Sequence, residues 1–227
     1  MAYTFSDQQS KLSSLLGDSN TGTDDQFPLA TRKKEINRGE MAFCRETKLV
    51  HEKATGTIAS NQLAWPSDML EPYAFLVDGK LMTKDNEVSV KDYERWSSYS
   101  GSKPLMYVTE ESGTRYFKFF STATGLAYIL HYVKKPGTEL SADADVSILP
   151  EEFREASVYY AASELMRQIG KNELAELYLN RYKEFVREAQ MRVEEMYMDK
   201  NYANPDVNAV GGNTTDVQGG GFDYSFM

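Results

Sequence analysis

The sequence predicts an α+β protein: mainly an α-helical bundle, made of N-terminal helices and a C-terminal helical hairpin, with a small antiparallel β unit inserted and an extended C-terminal tail. Three observations carry this. Apolar residues recur at helical spacing over 27–50 and again over 149–198. Between them the period shortens to that of strands, around an Asp78-Gly79 turn. The last stretch loses all periodicity. The implied divisions are 1–52 with 136–198 for the bundle, 53–135 for the β unit and 199–227 for the tail.

The first helix is expected from Thr4 to Leu16, with Ser6 and Gln9 in capping-box spacing and Phe5, Leu12, Leu15 and Leu16 on one face. Gly17 ends it, and a polar loop follows that closes on an Asp pair suited to capping the next helix. The second helix is expected from Phe27 to about Val50, with Pro28 in the first turn, where a missing N–H costs nothing. Leu29, Ile36, Phe43 and Val50 repeat every seven residues, so an apolar seam runs along an otherwise charged helix and needs a partner face.

Residues 53–65 are rich in Thr and small side chains, and Trp65-Pro66-Ser67-Asp68 marks a break. Tyr73–Val77 and Lys80–Thr83 flank the Asp-Gly pair as a hairpin. Ser89 to about Trp96 reads as one or two helical turns. Further strands are expected at Leu105–Thr109, Thr114–Phe120 and Leu126–Lys134, with Gly113 and Gly125 in the intervening turns. Leu149-Pro150-Glu151-Glu152 opens the longest helical stretch, broken into a hairpin at Gly170-Lys171-Asn172 because glycine takes the left-handed cap geometry. Its buried stripes are expected at Phe153, Ala156, Tyr160 and Leu165, and at Leu174, Leu177, Arg181, Phe185 and the Met191 region. The tail holds five of the 15 glycines. It ends in Phe222, Tyr224 and Phe226, alternate residues that point one way if extended and have no local core to enter.

Composition excludes several function classes. The net charge of −9, with no basic block, argues against tight nucleic-acid binding or attachment to an anionic membrane. One cysteine, Cys44, permits no intrachain disulfide, and with only His51 and His131 beside it no zinc site of the usual Cys/His type can form in one chain. No long apolar run and no secretory leader is present, so a soluble protein without a membrane partner is expected.

No catalytic motif is found: there is no G-x-S-x-G, P-loop, H-E-x-x-H or dinucleotide-binding glycine pattern. Gly219-Gly220-Gly221 reads as a hinge. His51-Glu52 reads as a helix cap and His131 as a strand residue; Glu151, Glu152 and Glu155 stabilise a helix start and need no metal to explain them. Tyr107, Tyr116, Phe117, Phe119 and Tyr128 lack the interleaved cations that base stacking uses, so packing is the expected role. No cofactor, no metal and no enzymatic activity are expected.

The order of these parts resembles a known family. The short N-terminal helix, the long helix ending near Phe43, Ala64-Trp65-Pro66-Ser67-Asp68, the Val77-Asp78-Gly79-Lys80 hairpin, His131-Tyr132-Val133-Lys134-Lys135-Pro136, and Leu149-Pro150-Glu151-Glu152-Phe153-Arg154-Glu155-Ala156 leading to Gly170 together resemble the head-to-tail adaptor proteins of tailed bacteriophages, over about residues 5–198. The resemblance implies a homo-oligomeric ring, a dodecamer, in the virion neck under the portal protein. It implies helices in the ring wall, a β part facing the downstream tail or nozzle protein, and an extended C-terminal segment reaching the portal.

On that reading Tyr202, Phe222, Tyr224 and Phe226 serve portal binding. Leu29, Ile36, Phe43, Phe153, Tyr160, Leu177 and Phe185 serve the ring interface or the bundle. DNA would pass through the channel without sequence-specific binding, and an acidic wall would ease it by repelling phosphates over about 8 Å at physiological salt. Alternatives are another virion ring, such as a tail-completion or tail-terminator protein, and a small metal-dependent enzyme using the Glu-rich helices.

Overall fold

The computed structural model describes residues 3–18, 26–84, 105–119 and 123–202. The expected turns at Ser89–Trp96 and the tail aromatics Phe222, Tyr224 and Phe226 lie outside these residues. The chain separates into two units, Met1–Val193 and Glu194–Met227. The first holds the sheets and cores described below; the described part of the second is the end of the last helix.

Helix α1 (Phe5–Leu16) starts at Thr4, whose hydroxyl accepts from the Asp7 amide while the Asp7 carboxylate accepts from the Thr4 amide. The capping box is therefore Thr4/Asp7 and not Ser6/Gln9. The cap belongs two residues earlier because Phe5 must already be helical to bury its ring fully. Gly17, at φ 74°, ends the helix as expected. Helix α2 (Leu29–Thr47) begins directly after Pro28, which makes no side-chain cap, and stops at Lys48 in the left-handed region. It is shorter than its sequence pattern, because Val50 already belongs to the path into the first strand: its carbonyl accepts from the Lys134 amide.

The β part comprises β1 (His51–Thr57), β2 (Gln62–Ala64), β3 (Met69–Val77), β4 (Lys80–Leu81), β5 (Thr83–Lys84), β6 (Leu105–Glu111), β7 (Thr114–Phe119) and β8 (Ala127–Lys134). They form two four-stranded sheets, ordered β1-β8-β3-β4 and β2-β7-β6-β5. The hairpins at Asp78-Gly79 and Ser112-Gly113 stand where the sequence puts them, and both residues of each turn have positive φ, as tight hairpins demand. The pairs are antiparallel except β5 with β6, which is parallel.

This overturns the expectation of a mainly helical bundle carrying a small β insert. The two sheets enclose a core of their own, in which Phe75 meets Phe117 edge to face at 5.0 Å and packs with Met69, Val77, Met106, Phe119, Leu130 and Tyr132. The physical reason is that β1 and β2, drawn from the Thr-rich run before Trp65, complete the two sheets. Strand β1 is mostly exposed along its length, so its sequence carries little hydrophobic alternation to announce it. Trp65 stacks on Phe117 at 5.0 Å, so the Trp-Pro break is the corner where the chain passes from one sheet to the other.

After a 3-10 turn (Glu151–Phe153), helix α3 (Arg154–Gln168) runs to Gly170, and α4 (Asn172–Tyr202) returns. The helical hairpin is thus where the sequence places it, with α4 reaching Tyr202, inside the stretch expected to be tail. Two cores fill this part. One joins Phe5, Leu12, Ile36, Val158 and Leu165; the other joins Phe43, Leu149, Phe153, Tyr182 and Phe185.

Candidate interaction surface

The residues nominated from the sequence divide into core and surface. Ile36 and Phe43 are fully buried, and Phe153 and Phe185 are buried with a small edge exposed. Phe43 touches Phe153 at 5.7 Å and Tyr182 at 6.2 Å, and half-buried Tyr160 meets Tyr182 at 5.3 Å. These are contacts within one chain. Leu29 and Leu177 differ, being 42% and 60% exposed. Tyr202 is the last residue of α4.

The inward stripe of α4 is not the one the sequence suggests. Leu174, Leu177, Arg181 and Met191 face solvent, while Ala175, Tyr182, Val186 and Ala189 beside Phe185 face the core. Small alanines permit α4 to lie close to its neighbours, and Tyr182 reaches a hydrogen-bond partner that no leucine could use: its hydroxyl donates to Glu46 Oε1 at 3.0 Å. The Gln190 amide donates to the Glu46 carbonyl at 3.1 Å, fastening α4 to the end of α2. The outward side of α4 therefore shows apolar residues on a charged helix.

Buried polar groups set the rest of the scaffold. Arg32 is 1% exposed and donates to Ser13 Oγ at 2.5 Å. Gln8 donates to the Arg154 carbonyl at 3.1 Å and to Ser157 Oγ at 3.2 Å. Glu40 accepts from Ser147 Oγ at 2.5 Å and from the Ile148 amide at 3.0 Å; burial holds its carboxyl above the ordinary range, partly offset by these hydrogen bonds. Asn37 clamps the segment after β8, accepting from the Leu140 amide at 2.8 Å and donating to its carbonyl at 3.0 Å. Sequence reading missed this set, since single polar residues inside helical patterns carry no periodic signal.

Among the described residues no group of three His, Cys, Asp or Glu side chains could hold a metal. Glu152 is ion-paired with Arg192, and Glu155 lies 3.6 Å from Lys11. His51 and His131 flank the Tyr73 ring at 4.9 and 5.7 Å on one face of the first sheet, His51 opening β1 instead of capping a helix. Among the described residues no helix is long and apolar enough to cross a membrane.

Over residues 3–207 the sequence matches the family model described as SU10 adaptor protein. The chain belongs to this family. It is a phage head-tail adaptor family, as the order of motifs suggested, and the match covers all of the described fold. No curated protein matches the sequence. Membership makes the chain a phage adaptor, whose work is contact with other virion structural proteins. For such an adaptor the surfaces of greatest interest are those that its own packing leaves outward, above all the exposed face of α4.

Proposed function

We propose that this adaptor forms a ring, a dodecamer, beneath the portal protein, where it extends the DNA channel and offers the downstream tail or nozzle protein its attachment surface. The observation that carries this reading is the outward row on α4: Leu174, Leu177 and Met191 are 39%, 60% and 50% exposed on a helix that buries Ala175, Tyr182, Val186 and Ala189 on its other side. A family that joins virion proteins supplies the partners that such a row needs.

In this reading 1–52 and 136–198 build the ring wall, 53–135 faces the tail, and 199–227 reaches the portal through Phe222, Tyr224 and Phe226. The net charge of −9 keeps the channel from retaining DNA. Electron cryomicroscopy of the full chain with and without portal tests the ring: closed rings seated on portal are expected, and a monomer beside bare portal overturns it. Deletion of residues 219–227 tests the tail. Portal binding should be lost while the melting temperature stays that of the full chain; unchanged binding overturns the assignment.

A further inference from the structure

Among the described residues β1 is the one long sheet edge left open, with β8 on one side and no strand on the other. In an antiparallel pair the backbone groups of successive residues point to opposite sides. The Lys134 amide donates to the Val50 carbonyl at 2.7 Å, and the Ile58 amide to the Leu126 carbonyl at 3.0 Å. In that register Glu52, Ala54 and Gly56 direct their amides and carbonyls at β8, whereas Lys53, Thr55 and Thr57 direct theirs outward. The Lys53 amide is taken by the Glu52 carboxylate at 3.2 Å. Among the described residues nothing takes the amides or carbonyls of Thr55 and Thr57, and both residues are exposed.

Such an edge is chemically specific. Its donors and acceptors repeat every second residue, about 7 Å apart, and another extended backbone is what matches that repeat. Natural sheets blunt open edges with charges. Here Glu52 and Lys53 blunt the first half of β1, and residues 55–57 carry no charge. The neighbouring side chains give the occupant its character. Thr55, Ile129, Leu76 and Leu81 form one cross-strand row on the outer face of the sheet; Leu81 is 62% exposed, and none of the three aliphatics belongs to a core. On the opposite face the Tyr128 ring fills the place of a side chain at Gly56, where a Cβ would stand 3.0 Å from it. A matching segment is thus extended and alternately apolar, with a carboxylate beside exposed Lys53.

A second copy of this chain matches poorly. A contact that repeats around a ring needs two unlike edges on each subunit. Among the described residues the other sheet edges, β2, β4 and β5, are only three, two and two residues long. Strand β1 against its own copy would close a two-fold pair and stop there. We infer that the open edge of β1 takes an extended segment of the downstream tail protein as an added strand, paired through the backbone of Thr55 and Thr57. This rests on the reading that 53–135 faces the tail, and adds where the tail protein binds and in what form.

Hydrogen exchange resolved to single amides tests it, on the full chain alone and in neck–tail complexes released from virions. In the free chain the Thr55 and Thr57 amides should exchange rapidly while those of Glu52, Ala54 and Gly56 are protected by β8. In the complex Thr55 and Thr57 should slow by at least ~10-fold. Unchanged exchange there, with new protection elsewhere in the β part, overturns the added strand and leaves the tail-facing reading standing. A β part with no new protection overturns both. Slowing in the free chain as its concentration is raised assigns the edge to a second copy and overturns the proposal. Thr55→Pro gives a separate test: it deletes one outward donor, a change that edge strands accommodate, and thermal melting checks its fold. It should weaken binding to isolated tails about 10-fold, whereas Thr55→Val, which keeps the amide, should bind like the wild type. Full binding by a folded Thr55→Pro chain, or equal loss by Thr55→Val, overturns the backbone pairing.

Discussion

Gly39 of α2 lies directly on the backbone of Ser157 in α3: a Cβ built on Gly39 would stand 2.5 Å from the Ser157 carbonyl oxygen and 2.9 Å from its Cα. Contacts of that length to backbone atoms cannot be relieved by turning a side chain, so the two helices would have to part. Gly39→Ala should therefore destabilise the fold by about 1–3 kcal/mol, the usual cost of overpacking a core, despite alanine's better helix propensity. Thermal melting checks this; a melting temperature equal to or above that of the wild type would show that the crossing tolerates a methyl group.

Glu40 is 1% exposed, and burial raises its carboxyl above the ordinary 4.5. A raised acid binds its proton more tightly in the folded state. Its contribution to stability is therefore best below the unfolded value and falls as pH climbs through the folded one. Glu40→Gln removes the charge and keeps an oxygen for the Ser147 hydroxyl and the Ile148 amide. The variant should gain on the wild type as pH rises from 4.5. Denaturant titrations across that range measure the difference, and parallel pH profiles count against it.

Cys44 has no exposed surface, and its thiol is pushed up to about 12, by burial first and then by the nearby Glu40 carboxylate. Thiolate is the reactive form. The native chain should thus be inert to a thiol reagent at pH 8 and react in step with unfolding, at one thiol per chain. Rapid labelling without denaturant would contradict this packing of α2.

Asn37 is the link between α2 and the segment that follows the sheets. Asn37→Ala leaves the Leu140 amide and carbonyl without this partner, at a cost of about 1–3 kcal/mol where the groups stay out of water. Hydrogen exchange at the Leu140 amide should accelerate much more than exchange in β8. Equal protection in variant and wild type would mean that the clamp is dispensable.

Legibility in the sequence followed the strength of local chemistry. Asp78-Gly79 and Gly113 announce their hairpins because few residues accept positive φ, and Gly170 announces the helical hairpin for the same reason. Strand β1 gave no such signal: with Glu52, Lys53, Thr55, Gly56 and Thr57 all exposed, it is held by pairing to β8 and not by burying its own side chains. That omission made the β part look small. Leu174 and Leu177 outrank Ala175 and Tyr182 in hydrophobicity and so mark the wrong face of α4, whereas position relative to α2 and α3 decides which residues turn inward. The candidate surface is only half legible, since nothing local to Leu177 distinguishes a place in the interface from one in the bundle or marks it as facing outward.

The ties of α1 span nearly the whole described chain. Its first two amides, of Phe5 and Ser6, donate to the carbonyls of Asp145 and Asp143, and Gln8 reaches Arg154 and Ser157. On the ribosome these partners emerge roughly 150 residues later, which at about 5–20 residues per second is a wait on the order of 7–30 s. The sheets, whose strands fall between His51 and Lys134, can pair during that interval. Helix α1 is thus made well before its partners and is among the last elements to be seated, and its buried face, Phe5 and Leu12 above all, stays uncovered on the nascent chain during that interval.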